Sequence, residues 1–285
     1  MTPTFLMLAL TLSPGATARA ENWIPDDCKI GGFAIGCQAY SFNRFTLFEA
    51  IEKTEQTGGR IIEMYPRQKL SKEQPNVTFN HDSPPEIIQQ VQEKLAKHKI
   101  KVVNYGVVGG KDEAEWRRIF EFAKKMGLYG ITTEDTKNID VIEKLVKEFD
   151  ICVGYHEHRR KPNDASYKLW DPNYVAELVK NRDRRIGACA DTGHWQTSGL
   201  NALDCVRILK GRIISLHLKE RAALGEGQHD MTYGQGSSNI GAILDELKAQ
   251  GFKGNISIEY EYNWDNSVPD IAQCIGFVRG WTAKK

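Results

Sequence analysis

After Pro25 the chain repeats one unit eight times: a short stretch of β-branched or small residues, a polar turn, then an amphipathic helical segment. Strands are expected at 33–40, 60–65, 101–107, 130–134, 151–158, 186–191, 212–219 and 255–262. Helices are expected at roughly 47–57, 85–98, 111–125, 139–149, 172–180, 202–209, 240–249 and 268–281. Boundary signals support this register: Ser83 precedes Pro84-Pro85, Asp171 precedes Pro172, and Gly127 and Gly251 follow helix ends. Strict alternation with short connections implies parallel strands, and eight repeats close more naturally as an α/β (β/α)8 TIM barrel than as an open sheet. The open doubly wound rival is weakened because no G-x-G-x-x-G follows a strand. Such a barrel needs about 250 residues. One therefore accounts for nearly all of a 285-residue chain.

The first twenty residues differ from the rest. An apolar run from Phe5 to Leu12 is followed by Pro14-Gly15 and then Ala18-Arg19-Ala20, the order of an h-region, a breaker and a cleavage site. We read residues 1–20 as a secretory signal and 21–285 as one catalytic barrel domain, which places the mature protein in the periplasm or outside the cell. No later apolar run reaches the roughly 20 residues a membrane helix requires. Six cysteines lie far apart with no C-x-x-C, and Cys28 with Cys37 is the pair expected if any disulfide forms. A formal net charge of +1 gives no electrostatic case for nucleic acid, so a small polar partner fits better.

In parallel α/β architectures functional groups sit where strands end and loops begin. The expected strand ends carry Glu63, Glu134, His156-Glu157-His158, Asp191 with His194, His217 with Lys219, and Glu259 with Glu261. His156 and His158 are two apart, so they share the lumen side while Glu157 faces the other way. His217 with Lys219, and Glu259 with Glu261, likewise share faces. Any one such residue is ordinarily a polar strand end satisfied by backbone or water. Gathered on neighbouring strands, buried carboxylates would be costly unless paired or bound to a cation, and a metal explains the set better. Carboxylate oxygens with imidazole nitrogens suit one divalent ion, Mn²⁺, Co²⁺, Zn²⁺ or Mg²⁺.

These motifs resemble those of the xylose isomerase-like sugar isomerase/epimerase barrels. The resemblance rests on His156-Glu157-His158 where many members carry H-N-H, Cys189 to His194 for D-x-G-H, Ser215 to Lys219 for H-x-K, and Ser257 to Glu261 for the last-strand glutamate. It implies Asp191, His217 and Glu259 as metal ligands, completed by His156 or Glu134. It also implies that His194 and Lys219 contact or activate the substrate. We add His158 and Glu134 as candidate acid/base groups, and Glu63, Tyr105, Trp195 and Glu261 as candidate substrate contacts. Tyr40, Phe42, Tyr65 and Tyr260 are further candidates for an apolar wall. The segment 225–238, with His229 and Asp230, reads as an active-site loop.

The expected activity is isomerisation or epimerisation of a keto sugar through a metal-stabilised enediolate. The alternative is a 3-keto-glycoside lyase or hydratase, or an inosose-type dehydratase, sharing that first step; export and the lack of an obvious Arg/Lys phosphate cluster favour it. A sugar-binding barrel without catalysis is opposed by the intact ligand set. An abasic-site endonuclease would need extra histidines on the second and third strands, where Glu63 and Tyr105 stand. The expected partner is a small carbohydrate, with no nucleic acid and no membrane, and with a homo-oligomer left open.

Overall fold

The computed structural model describes residues 24–284, so the expected signal segment lies outside the described residues. Eight strands form the frame: β1 (Phe33–Gln38), β2 (Ile61–Met64), β3 (Lys101–Tyr105), β4 (Gly130–Thr133), β5 (Cys152–His156), β6 (Ile186–Asp191), β7 (Ile213–Leu218) and β8 (Asn255–Ile258). Each pairs in parallel with its sequence neighbours, and β8 pairs in parallel with β1, which closes the barrel. Nearly every strand residue is buried, as expected when one side faces a packed lumen and the other a ring of helices.

The ring consists of α1 (Leu47–Gln56), α2 (Pro85–His98), α3 (Glu113–Met126), α4 (Ile139–Phe149), α5 (Pro172–Val179), the short α6 (Thr192–Thr197), α7 (Ala202–Ile208), α8 (Ile240–Ala249) and α9 (Val268–Ala283). Local chemistry sets their ends. Thr46 and Glu49 form a reciprocal capping box before α1, Asp171 caps α5 just ahead of Pro172, and Gly127 ends α3 at φ +67°. The strands end a few residues earlier than the sequence pattern suggests, so Glu134, Glu157, His158, Lys219, Glu259 and Glu261 stand just beyond the ladder.

Ile24 and Cys28 pack with Ala34, Ile61 and Val103, side chains near the amino-terminal ends of β1, β2 and β3, so the barrel floor is sealed. At Gly36 an added Cβ would lie 1.8 Å from the Ile61 carbonyl, and only glycine permits that approach. All six cysteines are free and buried, so the Cys28–Cys37 pair, expected only if a disulfide formed, is not bridged. Cys37 Sγ instead lies 3.6 Å from Thr57 Oγ1, inside the layer between barrel and helices.

Candidate metal and sugar site

At the carboxyl end of the barrel, His156, Asp191, His217 and Glu259 each direct one potential ligand atom into a common space, and these atoms lie within 4.8 Å of one another. Four successive strands, β5 to β8, supply them. Asp191 ends β6 and caps α6. Its Oδ1 accepts the His194 backbone N–H at 2.8 Å, while its Oδ2 is buried without a hydrogen bond and faces the centre. Helix capping thus fixes the carboxylate that the site needs.

His156 donates from Nδ1 to Glu134 Oε1 at 2.9 Å, which turns Nε2 toward Asp191 Oδ2, 3.7 Å away. Glu134 is therefore the orienting partner of His156 and stands outside the convergent set. His217 lies among carboxylates without a hydrogen bond to either ring nitrogen. Its Nε2 is 3.2 Å from Glu63 Oε1, and Nδ1 faces Glu259 Oε2 at 3.4 Å and Asp191 Oδ2 at 3.6 Å. Glu63 is itself anchored, accepting from Thr132 Oγ1 at 2.9 Å and from Ser257 Oγ at 2.8 Å.

Lys219 Nζ lies 2.7 Å from Glu259 Oε2, 3.2 Å from Asp191 Oδ2 and 3.6 Å from Glu261 Oε2, ion-pair distances that lack hydrogen-bond angles. Its path depends on Gly193, where a Cβ would meet Lys219 Cδ at 2.6 Å. Its backbone is locked by Thr192 Oγ1, which accepts from Lys219 N at 2.7 Å and donates to Lys219 O at 2.9 Å. The Asp191-Thr192-Gly193-His194 turn therefore places three functional side chains at once.

Charge in this space is strongly shared. Burial opposes ionisation of Asp191 and Glu259, yet neighbouring cations, Lys219 among them, hold both carboxyls far below the usual range. Burial also opposes a charge on His156, but the neighbouring carboxylates of Asp191 and Glu134 raise it to about 10. Burial keeps His194 neutral, well below the usual imidazole range, and lowers His158 with help from the charge of His156. Without a metal the carboxylates are thus balanced by protonated His156 and by Lys219; a metal ion would displace the imidazole proton.

A cavity of about 350 Å³ opens above this floor, lined by Gln38, Tyr40, Tyr65, Val107, Glu134, His156, His158, His194, Glu259 and Glu261. A sequence model of the xylose isomerase-like TIM barrel matches residues 51–279. The chain belongs to the xylose isomerase-like TIM barrels. Among solved structures, an uncharacterised protein of Parabacteroides distasonis has a TM-score of 0.70 at 29% identity, over 87% of this chain and 98% of that one. A D-tagatose 3-epimerase-like protein has a TM-score of 0.67 at 16% identity, over 88% and 97% of the two chains. A xylose isomerase-like barrel of Mycobacterium smegmatis in complex with magnesium has a TM-score of 0.68 at 11% identity, over 88% and 96%. An uncharacterised protein of Methanocaldococcus jannaschii is 25% identical over 130 residues, 45% of this chain and 43% of its own length. The match to that relative therefore spans less than half of it.

Within this xylose isomerase-like barrel, several expected substrate contacts stand elsewhere. Tyr105 is fully buried behind the barrel wall, its hydroxyl 3.2 Å from His81 Nδ1 and its ring 4.9 Å from that of Phe122. Trp195 is also fully buried, beside the Glu157 carboxyl, which faces away from the lumen as its strand parity requires and which burial pushes well above the usual range. Phe42 and Tyr260 are buried, and Glu63 lies beneath the floor, none of them lining the cavity. The 225–238 segment braces the mouth from outside the cavity. Asp230 accepts from Arg221 Nη1 at 2.8 Å and from Glu261 N at 2.7 Å, and His229 stacks on Tyr262 at 4.5 Å.

The sequence pattern did not single out Gln38, Val107 or Tyr167. Gln38 accepts from Tyr40 N and donates to the Gly106 carbonyl, tying two mouth loops together. Tyr167, from the long segment after β5, donates to Glu134 Oε2 at 3.2 Å. Among the described residues no helix is long and apolar enough to cross a membrane.

Proposed function

We propose that this barrel is a divalent-metal-dependent enzyme that enolises a keto sugar and interconverts its isomers or epimers. The observation that carries the reading is the convergence of four buried ligand atoms, with His156 Nε2, Asp191 Oδ2 and His217 Nδ1 all lacking hydrogen-bond partners. Buried polar atoms left unpaired at one point are expensive unless a cation gathers them. The set of two imidazoles and two carboxylates fits Mn²⁺, Co²⁺, Zn²⁺ or Mg²⁺, with His156, Asp191, His217 and Glu259 holding the ion.

When bound, such an ion polarises carbonyl and hydroxyl oxygens of the substrate. The side chains do the rest. Glu134 holds His156 by a hydrogen bond, and the Glu63 carboxylate lies 3.2 Å from His217 Nε2, so that His156 Nε2 and His217 Nδ1 face the centre. Lys219, buried beneath the cavity, supplies positive charge beside Glu259 and Asp191, and its field would stabilise an oxyanion developing on the substrate above. His158 and His194, with rings 4.1 Å apart and Nδ1 of His158 unpaired, offer neutral imidazoles that accept and return a carbon-bound proton at one side of the cavity. Tyr40 and Tyr65, with ring centroids 5.3 Å apart in an edge-on arrangement, provide a ring-sized apolar wall.

A second reading, loss or addition of a group β to the carbonyl, draws on the placement of Glu261. Its carboxyl lines the cavity and is raised, because burial and the nearby Glu259 outweigh the attraction of Lys219. It is thus suited to protonating a departing oxygen. Metal-loaded protein incubated in D2O with free keto sugars and with 3-keto-glycosides separates the two. Deuterium at the α-carbon of an isomerised product supports the first reading, and an unsaturated or hydrated product the second. No exchange with any substrate class would overturn both.

A further inference from the structure

Between β5 and α5 the chain makes the long excursion 157–171. Connections of this kind commonly take about 2–6 residues, and longer ones at a barrel mouth usually serve binding. The excursion encloses a second cavity of about 550 Å³, larger than the one above the metal ligands. Its wall includes Arg160, Lys161 and Lys168 together with Tyr167, Trp170 and Tyr174. Each cation lies over one of those rings: the Arg160 guanidinium is 5.0 Å from the centroid of Trp170, Lys161 Nζ is 3.9 Å from that of Tyr167, and Lys168 Nζ is 5.9 Å from that of Tyr174. Such contacts hold the charged heads along the wall.

The wall carries an excess of positive charge, three cations against the two carboxylates of Asp164 and Asp171, and both carboxylates accept hydrogen bonds from their own loop. Asp164 Oδ1 accepts from Ser166 N and Oγ, and Asp171 Oδ1 accepts from Asn173 N. Arg160 and Lys161, adjacent in the sequence, are thus joined by Lys168 on one concave, aromatic-lined surface. Tyr167 belongs to both cavities: its ring lines this one, while its hydroxyl donates to Glu134, whose carboxylate lines the other. Tyr167 alone separates an occupant of the second cavity from Glu134, which in turn holds His156.

We infer that the 157–171 segment forms a distal subsite for an oxyanion-bearing sugar residue, a uronate or a sulfate or phosphate ester, joined to the ring that enters the catalytic cavity. That the occupant is part of a substrate rests on the function proposed above; that the cavity takes an oxyanionic sugar does not. Guanidinium and ammonium groups supply charge-assisted hydrogen bonds to the anion, and the aromatic wall packs against the sugar ring.

The test is calorimetric titration of the full chain with glucuronate, glucose 6-sulfate, glucose 6-phosphate and glucose. Each is titrated into wild type, Asp191→Ala and the double variant Arg160→Gln/Lys168→Gln. Both substituted cations are exposed, so the double variant should keep the wild-type melting temperature. The expected result is that at least one oxyanionic sugar binds wild type and Asp191→Ala alike, that glucose binds at least about tenfold more weakly, and that the double variant loses on the order of tenfold or more. Selectivity for glucuronate or for the esters supports the subsite either way and names the source of the anion. Equal binding of glucose and the anions, undiminished binding by a folded double variant, or anion binding lost only in Asp191→Ala would overturn the inference. Intact selectivity without deuterium exchange would strike the catalytic reading alone.

Discussion

Asp191 performs two tasks with its two oxygens, one closing the first turn of α6 and the other facing the ligand centre. Replacement of Asp191 by alanine should therefore abolish stoichiometric metal binding and turnover, and should also loosen α6 by about 1 kcal/mol, the usual worth of a helix cap. Metal analysis of the purified variant is the check, and retained metal with normal activity would refute the ligand assignment. Lys219 calls for the opposite pattern. Lys219→Met keeps much of the side-chain volume while deleting the charge, so metal content should persist while turnover falls by a factor on the order of 10² to 10³, as for loss of one donor to a developing oxyanion. Near-normal turnover with only a lowered melting temperature would show that the lysine merely neutralises Glu259 and Asp191.

At the scale of elements, the link from α5 into β6 carries a charge clamp in which Arg185 binds Asp183 at 2.7 and 2.8 Å and Asp150 at 2.6 Å. The Arg185 hydrogen bond is the main reason that the Asp183 carboxyl is lowered from 3.8 to about 2. A depressed folded-state value means that this stabilisation is fully present above about pH 4 and is lost as pH falls toward 2. Melting curves at pH 4 and pH 2 should therefore drop further for wild type than for Asp183→Asn, and parallel curves would show that the clamp contributes nothing. The elements themselves were legible in the sequence, because alternation of strand and helix periods at eight successive positions is hard to imitate. Asp191, His217 and Glu259 were legible for the same reason, standing where parallel strands end. Tyr105 was misplaced because β3 carries an irregularity: Ile62 pairs with Val102 but Glu63 with Asn104, so Val103 is extra and every later side chain changes face. Trp195 was misplaced because it lies on α6, one helical step round from His194, and so turns into the core. The charge cluster of the 157–171 segment leaves no periodic trace, since only folding brings Arg160 and Lys168 to one wall.

For the molecule as a whole, an ion that binds only the folded barrel must stabilise it by mass action. At a free metal concentration about 100 times Kd the gain is about 2.7 kcal/mol, which for a domain of this size raises the melting temperature by roughly 5–10 °C. Chelation should reverse that shift in wild type and leave Asp191→Ala unmoved; identical melting of chelated and metal-supplied wild type would count against the site. We also propose export, with the mature chain starting at or near Glu21, and N-terminal sequencing of protein from the native host decides it. An intact Met1 terminus in the cytosol would remove the argument from compartment to substrate.

The sealed floor of the barrel carries a practical consequence. Ile24 packs beneath the lumen, and at the other end of the described chain Thr282, near the end of α9, lies against Gly31 just ahead of β1. Both ends of the described residues therefore lie on the face opposite the ligand mouth. A bead, a surface or a fused partner anchored beside Ile24 or Thr282 would thus leave the opening pointing into free solution.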